Sequence, residues 1–329
     1  VGVFSNLAMD NAGTQYVVYL DDKNDDLKMA SYDRTSWVTK TIVKNTTRDG
    51  WYPSMVFDQQ NTMHIAYYAY DKHQIMYGNL MKSGFWNIIP AIRNVVVQDI
   101  SLVIGTDNVP QLIYFDKDNQ EIRYTRKNDS GWSTPVTVAS GNAEGIYFPA
   151  VTDAKNQLHL VYLSDSGGLW YVKYENNKWT APEPIDQNEG AGYYPSIVVD
   201  GNFHPHVSYY NRSTGDLMYA FREGNKWELI CVDSTNDTGQ YTSIGIDKKD
   251  NLHISYYDID QQVLKYAFSH TKPWLPNAWY TYVVDNRAGV GTWNSLLLNQ
   301  DGNPQISYYN ATNETLMYAY ADIQDILKQ

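Results

Sequence analysis

The sequence predicts an all-β fold: a seven-bladed β-propeller with four antiparallel strands per blade. Three observations carry that prediction. The string His253-Ile254-Ser255-Tyr256-Tyr257-Asp258 has near copies at His206–Asn211 and Gln305–Asn310 and fainter ones starting at Gln15, His64, Gln111 and His159. An anchor, usually acidic, precedes each copy, at Asp10, Asp58, Gly105, Asp153, Asp200, Asp247 and Asn299, so the spacing is 47 or 48 residues with one interval of 52. A tryptophan keeps the same beat at Trp37, Trp86, Trp132, Trp179, Trp227 and Trp279. A period of this size belongs to stacked or radial repeats, and short β-branched and aromatic runs select the propeller over helical solenoids.

Each element of the repeat follows from local chemistry. In the fifth repeat the four strands are expected at 196–199, 206–210, 217–221 and 227–232, all rich in Val, Ile, Tyr or Trp. Asp200-Gly201-Asn202 and Asp301-Gly302-Asn303 suit tight turns between first and second strands. No window holds a 3.6-residue apolar period, so helix should be almost absent. The long sixth interval is accounted for by an insertion at 271–277. The blades are expected at about 1–46, 47–94, 95–141, 142–188, 189–235, 236–287 and 288–329, forming one domain over 1–329. The seventh repeat stops about where its fourth strand should start. Either the last blade is incomplete or the natural protein continues beyond Gln329, and continuation is the expectation.

Composition narrows the function. The chain carries 25 Lys and Arg against 37 Asp and Glu, a net charge of −12, which argues against nucleic acid, whose phosphates need clustered cations. No apolar run is long enough for membrane insertion. Many of the 29 tyrosines and 10 tryptophans should fill the space between blades. The lone Cys231 lies in an alternating strand and is expected to be a buried thiol. Six Asn-x-Ser/Thr sequons, at Asn45, Asn128, Asn211, Asn236, Asn310 and Asn313, all fall in predicted loops and are candidate glycosylation sites, which fits an extracellular or cell-surface protein.

The candidate site lies where the first strands enter the central channel. Two positions before the anchoring serine, or its equivalent, stand Val3, Tyr52, Asp99, Phe148, Tyr194, Tyr241 and Trp293, of which five are aromatic. Asn211 and Asp258, at the ends of second strands, open on the same face. Flat rings with interspersed carboxylates and amides suit a sugar, whose C–H faces stack while its hydroxyls seek donors and acceptors. Arg48, Arg93 and Arg287 lie nearby in sequence and could meet a uronate or sulfate. Packing between blades is the competing explanation for the repeated tyrosines. Trp293 and Asp99 depart from the repeat and mark one side of the rim.

No catalytic residue, metal site or cofactor site can be assigned. His64, His159, His206 and His253 occupy equivalent positions in separate blades, too far apart to share a metal, and glutamine replaces them elsewhere. A hydrogen-bonding role is expected. His73, His204 and His270 are scattered over loops. The acidic runs at Asp21–Asp26 and Asp116–Asn119 lack the glycine spacing of a calcium loop. Nucleophile elbows, phosphate loops and Cys/His clusters are missing.

The repeat resembles the tyrosine-rich HISYYD-type propeller repeats of secreted and cell-surface proteins of bacteria and archaea, over essentially the whole chain. The resemblance implies the fold and a surface location, and little about function. The sialidase-type Ser-x-Asp-x-Gly-x-Thr-Trp box and the Gly-His and Trp-Asp pairs of WD repeats are not found. Seven-bladed propellers also house polysaccharide lyases with tyrosine and histidine at the channel mouth, but no local motif here matches one. Three functions remain from the sequence: carbohydrate recognition through loops of one face, a structural or protein-interaction role within a larger surface protein or filament, and a polysaccharide lyase in which a tyrosine abstracts a proton beside a uronate neutralised by Arg48 or Arg287.

Overall fold

The computed structural model describes residues 2–33, 35–44, 48–140, 147–164, 166–270, 272–273, 275 and 278–326. Its strands form seven sheets, each with its strands in chain order. Blade 1 comprises Val3–Met9, Gln15–Asp21, Asp26–Tyr32 and Trp37–Val43, and blade 5 comprises Tyr193–Val199, Pro205–Asn211, Asp216–Glu223 and Lys226–Asp233. Within blade 5 the antiparallel register pairs Ser196 with Ser208, Tyr209 with Met218 and Ala220 with Leu229. The expected seven-bladed propeller is present. Among the described residues helix is confined to Ile323–Ile326.

The outer strand is interrupted in two blades. In blade 3 it runs as Gly131–Trp132 and Val136–Ser140, and in blade 4 as Lys178–Trp179 and Glu183–Asp186. Pro135 and Pro182 fall in the breaks, where a residue without an N–H cannot serve the ladder. Blade 7 has three strands, Val290–Leu298, Pro304–Asn310 and Thr315–Tyr320.

Second strands are the cores of the blades. Those of blades 2, 3, 5 and 7, Met63–Ala69, Pro110–Asp116, Pro205–Asn211 and Pro304–Asn310, are buried along their entire length. Their repeated tyrosines reach the neighbouring blade: Tyr209, Tyr256 and Tyr308 donate to Asp186, Asp233 and Asp285 at 2.6–2.7 Å. The repeated histidines take the hydrogen-bonding role expected of them. Nδ1 of His64, His206 and His253 meets the hydroxyl of Tyr77, Tyr219 and Tyr266 at 2.6 Å, and His159 meets Tyr171 at 2.7 Å. Where glutamine substitutes, Tyr124 donates to Gln111 Oε1 at 2.7 Å.

Outer-strand tryptophans pack on the third-strand tyrosine of the preceding blade. Ring centroids lie 5.0–5.4 Å apart for Trp132 on Tyr77, Trp179 on Tyr124, Trp227 on Tyr171, Trp279 on Tyr219 and Trp37 on Tyr318. Edge-to-face and tilted pairs at this distance strengthen the blade junctions beyond area burial alone. Cys231 does not follow expectation. It is exposed, because blades diverge toward the periphery and leave outer strands such as Lys226–Asp233 only partly covered.

Candidate functional site

The first strand of most blades begins with a bulge that turns one residue toward the propeller axis. In five blades a glycine at φ near +100° comes two positions before an aromatic residue that is itself left-handed: Gly2 and Phe4, Gly50 and Tyr52, Gly192 and Tyr194, Gly239 and Tyr241, Gly291 and Trp293. The pairing register slips over the same stretch, between Trp51 and Ser54, Tyr193 and Ser196, Gln240 and Ser243, and Thr292 and Ser295. Two causes combine. The glycine backbone lies flat against a leucine of the preceding blade, so that a Cβ on Gly291 would sit 2.9 Å from Leu264 Cα. The extra residue of the bulge then re-aims the aromatic side chain.

A positive φ in a bulky aromatic residue is strained by roughly 1–3 kcal/mol. Its recurrence at one place in five blades shows that the surrounding fold fixes it there.

The re-aimed side chains meet around the axis. Consecutive ring centroids are 4.8 Å apart for Tyr147 and Tyr194, 4.5 Å for Tyr194 and Tyr241, 5.7 Å for Tyr241 and Trp293, 5.8 Å for Trp293 and Phe4, and 4.9 Å for Phe4 and Tyr52. Asp99 supplies the position between Tyr52 and Tyr147 and completes the seven. Together with Ser54, Ser101 and Asn294 they line an axial cup of about 240 Å³.

Asp99 is the one carboxyl among the residues lining the cup, and no Lys or Arg is among them. Burial beside the rings pushes the Asp99 carboxyl up to about 8, against the opposing effect of the Ile100 amide that donates to it. Near pH 7 the group is therefore mainly the neutral acid, a hydrogen-bond donor as well as an acceptor. Burial first, and the Asp99 charge second, push the Tyr52 hydroxyl up to about 12. Burial also raises Tyr147, Tyr194 and Tyr241.

Of the residues singled out in the sequence, Tyr52, Asp99, Tyr194, Tyr241 and Trp293 come together in the cup. Phe148 does not. It is buried in the core between blades, and its neighbour Tyr147 takes the axial place. Phe4, not Val3, holds that place in blade 1. Asn211 and Asp258 are buried as well, 5% and 0% exposed. Asn211 Oδ1 accepts from the amides of Ser213 and Thr214. Asp258 accepts from the Gln261 amide and faces Lys265 Nζ at 3.7 Å. Both cap the turn after the second strand and do not offer themselves to a ligand. Asp21 and Asp116 do the same, each accepting from an asparagine three residues on.

The arginines lie elsewhere. Arg48 pairs with Asp71 and covers the ring of Tyr70 at 4.2 Å. Arg287 pairs with Asp285, and Arg93 is exposed. None lines the cup. Among the sequons, Asn211 and Asn310 end buried strands, and Asn128 ends a strand at its exposed tip, instead of lying in loops. Asn128, Asn236 and Asn313 are exposed, Asn236 donating to Asp258 at 3.4 Å. Asn45 lies outside the described residues. No group of three or more potential metal ligands occurs among the described residues, and no described helix is long and apolar enough to cross a membrane.

No protein-family model matches the chain, and no curated protein matches it in sequence. Solved structures match its fold. A polysaccharide lyase, an ulvan lyase bound to -[GlcA(1-4)Rha3S]-, is 12% identical with a TM-score of 0.70, over 97% of this chain and 94% of that one. The Aleuria aurantia lectin in complex with Fucα1-6GlcNAc is 11% identical with a TM-score of 0.58, over 88% and 97%. The intramolecular trans-sialidase from Ruminococcus gnavus is 13% identical with a TM-score of 0.54, over 99% and 95%. Identities this low carry the propeller fold and leave the site to be argued from its own geometry.

Proposed function

We propose that this protein is an extracellular or cell-surface recognition domain that binds carbohydrate in the axial cup. The observation that carries the reading is the ring of six aromatic residues and one acid, five of the aromatics held in a strained left-handed bulge. Strain that the fold maintains at a concave, solvent-open mouth is a mark of binding sites. The rings offer stacking surface to sugar C–H faces, and Asp99 with the tyrosine hydroxyls offers partners to sugar hydroxyls. At about 240 Å³ the cup lies below the usual ~300–1,000 Å³ of small-molecule pockets. It suits one terminal sugar ring better than a groove along a polymer. The lectin and sugar-processing enzymes that share the fold are consistent with a carbohydrate ligand. The exposed sequons Asn128 and Asn313 suit an extracellular setting.

The cup favours binding over lyase chemistry. A tyrosine base needs a depressed pKa, whereas burial raises every tyrosine of the ring. Among the described residues no cation lines the cup, and the charge of Arg212 lowers Tyr194 by less than burial raises it.

A glycan array probed with the purified protein and with Trp293→Ala/Tyr241→Ala tests the proposal. Binding by the wild type that the folded double variant loses would support it. Binding that the variant retains would put the ligand elsewhere, and a blank array would point to a different class of partner.

A further inference from the structure

Three blade junctions are bridged by a carboxylate, and the junction between blades 2 and 3 keeps the donors of such a bridge without its acceptor. The bridging acids stand opposite a third-strand leucine, Leu169 pairing with Asp186, Leu217 with Asp233 and Leu264 with Asp285. Each accepts from a second-strand tyrosine of the next blade, as described above. Asp233 also binds Lys265 Nζ, in the third strand of blade 6, Val263–Ser269, and Asp258 stands 3.7 Å from the same ammonium.

Blade 3 repeats these donors. Tyr114 follows Gln111 by three residues as Tyr256 follows His253, and Arg123 comes after Ile122 as Lys265 comes after Leu264. Asp116 lies 3.5 Å from the Arg123 guanidinium, much as Asp258 lies from Lys265. The acceptor differs. Ile75 pairs with Ile92, so an isoleucine of blade 2 stands where blade 5 has Asp233. After blades 1 and 3 the acid is likewise replaced, by Val43 and Ala139, but there the position of Lys265 holds Met76 and Trp170. Between blades 2 and 3 the carboxylate is gone and the cation is kept.

A cavity of about 520 Å³ lies at this junction, lined by Arg93, Tyr114, Arg123 and Trp132 among others, and it shares no lining residue with the axial cup. Arg123 is loosely held. Nη1 is 3.5 Å from Asp116, Nη2 3.5 Å from Pro135 O and Nε 3.7 Å from Glu121, at or beyond the reach of a good hydrogen bond. Arg93, exposed at the end of Trp86–Arg93, is a second cation. The lining thus holds two guanidiniums and one carboxylate, Asp116, in a chain of net charge −12. Ile92, Trp132 and Pro135 add apolar surface, and Asn94 and Thr134 add polar groups.

We propose that this cavity binds a hexuronate, its carboxylate seated between Arg123 and Tyr114 in the place that Asp233 holds between Lys265 and Tyr256. Guanidinium and hydroxyl supply charge-assisted bonds to the carboxylate. The apolar surface suits the C–H face of the sugar and the polar groups suit its hydroxyls. The volume lies within the ~300–1,000 Å³ of small-molecule pockets.

The test is titration of the full chain with methyl β-D-glucuronide, read by ligand-observed NMR, beside its neutral amide and methyl β-D-glucoside 6-sulfate. Saturable binding of the glucuronide is expected, with the amide weaker by at least about tenfold. Arg123→Met should abolish binding and still fold, since Met76, Met218 and Met317 hold this place in blades 2, 5 and 7. Ile92→Asp rebuilds the internal carboxylate of blade 5 and should weaken the glucuronide by at least about tenfold without lowering the melting temperature. Failure of the glucuronide to saturate would overturn the proposal. So would equal binding of the amide, preference for the sulfate, or binding that either folded variant leaves unchanged.

Discussion

The amide of Leu7 donates to Ser295 Oγ at 3.3 Å across the junction between the first and last blades. The same bond recurs around the axis: Leu102 N to Ser54 Oγ at 3.0 Å, Ile244 N to Ser196 Oγ at 3.1 Å and Leu296 N to Ser243 Oγ at 3.0 Å. Asn6 Oδ1 plays the serine's part for Met55 N at 2.8 Å. Ring closure thus rests on one more copy of a bond found between other blades. Ser295→Ala should lower unfolding free energy by about 1 kcal/mol, read by urea denaturation. A loss well above that of Ser196→Ala would show that the closing junction is weaker than the rest.

Gly291 adopts φ +117° with Leu264 Cα 2.9 Å from the position of a Cβ. Gly291→Ala combines backbone strain with a collision against main chain that cannot swing away. It should cost about 2–4 kcal/mol and displace Trp293. Gly201, with nothing within 4 Å of its Cβ position, should accept alanine with much less effect on thermal unfolding.

Acid should destabilise the protein in two stages. Burial holds His253 down to about 4, so between its unfolded value near 6.5 and 4 the unfolded chain binds the proton and the native state does not. Stability is full above about pH 6.5 and falls as pH drops through that window, by about 3 kcal/mol for this residue. Arg287 holds Asp285 down to about 2, so its contribution persists until pH falls below about 4 and is lost toward 2. Blade 3 already uses glutamine at the position of His253, where Gln111 accepts from Tyr124. His253→Gln should therefore remove the first stage while keeping the hydroxyl of Tyr266 bonded. Unfolding free energies from pH 7 to 2 check both.

Asp99 has the opposite sign. Its folded value of about 8 lies above the unfolded one, so stability falls as pH rises from about 4 through 8. Asp99→Asn should be close to neutral at pH 4 and stabilising at pH 9. Urea unfolding at those two values decides it, and an equal effect at both would contradict the raised Asp99 value.

The seven blades were legible because the repeat is carried by residues that every blade needs: an anchor in the first turn, the His/Gln–Tyr bond, the outer tryptophan. The cup was half legible. Tyr52, Tyr194, Tyr241, Trp293 and Asp99 were found by counting back from a serine. The count slipped by one in blades 1 and 4, where Asn6 and Pro149 replace that serine, and so gave Val3 and Phe148 for Phe4 and Tyr147. The glycine two positions ahead, in Gly2-Val3-Phe4 and Gly145-Ile146-Tyr147, carried the signal that could have corrected both. Asn211 and Asp258 misled for another reason: a short polar side chain at a strand end looks the same in sequence whether it faces solvent or caps its own turn. Cys231 misled because alternation reports which face a residue is on, not how far from the axis that face is covered.

Saturation-transfer NMR on a glycan selected by the array tests the axial cup most directly, irradiating protein aromatic protons and observing the sugar. Transfer concentrated on the C–H groups of one terminal ring is expected in the wild type, and its loss in folded Tyr241→Ala. Transfer spread evenly along the oligosaccharide and unchanged in that variant would contradict binding in the cup.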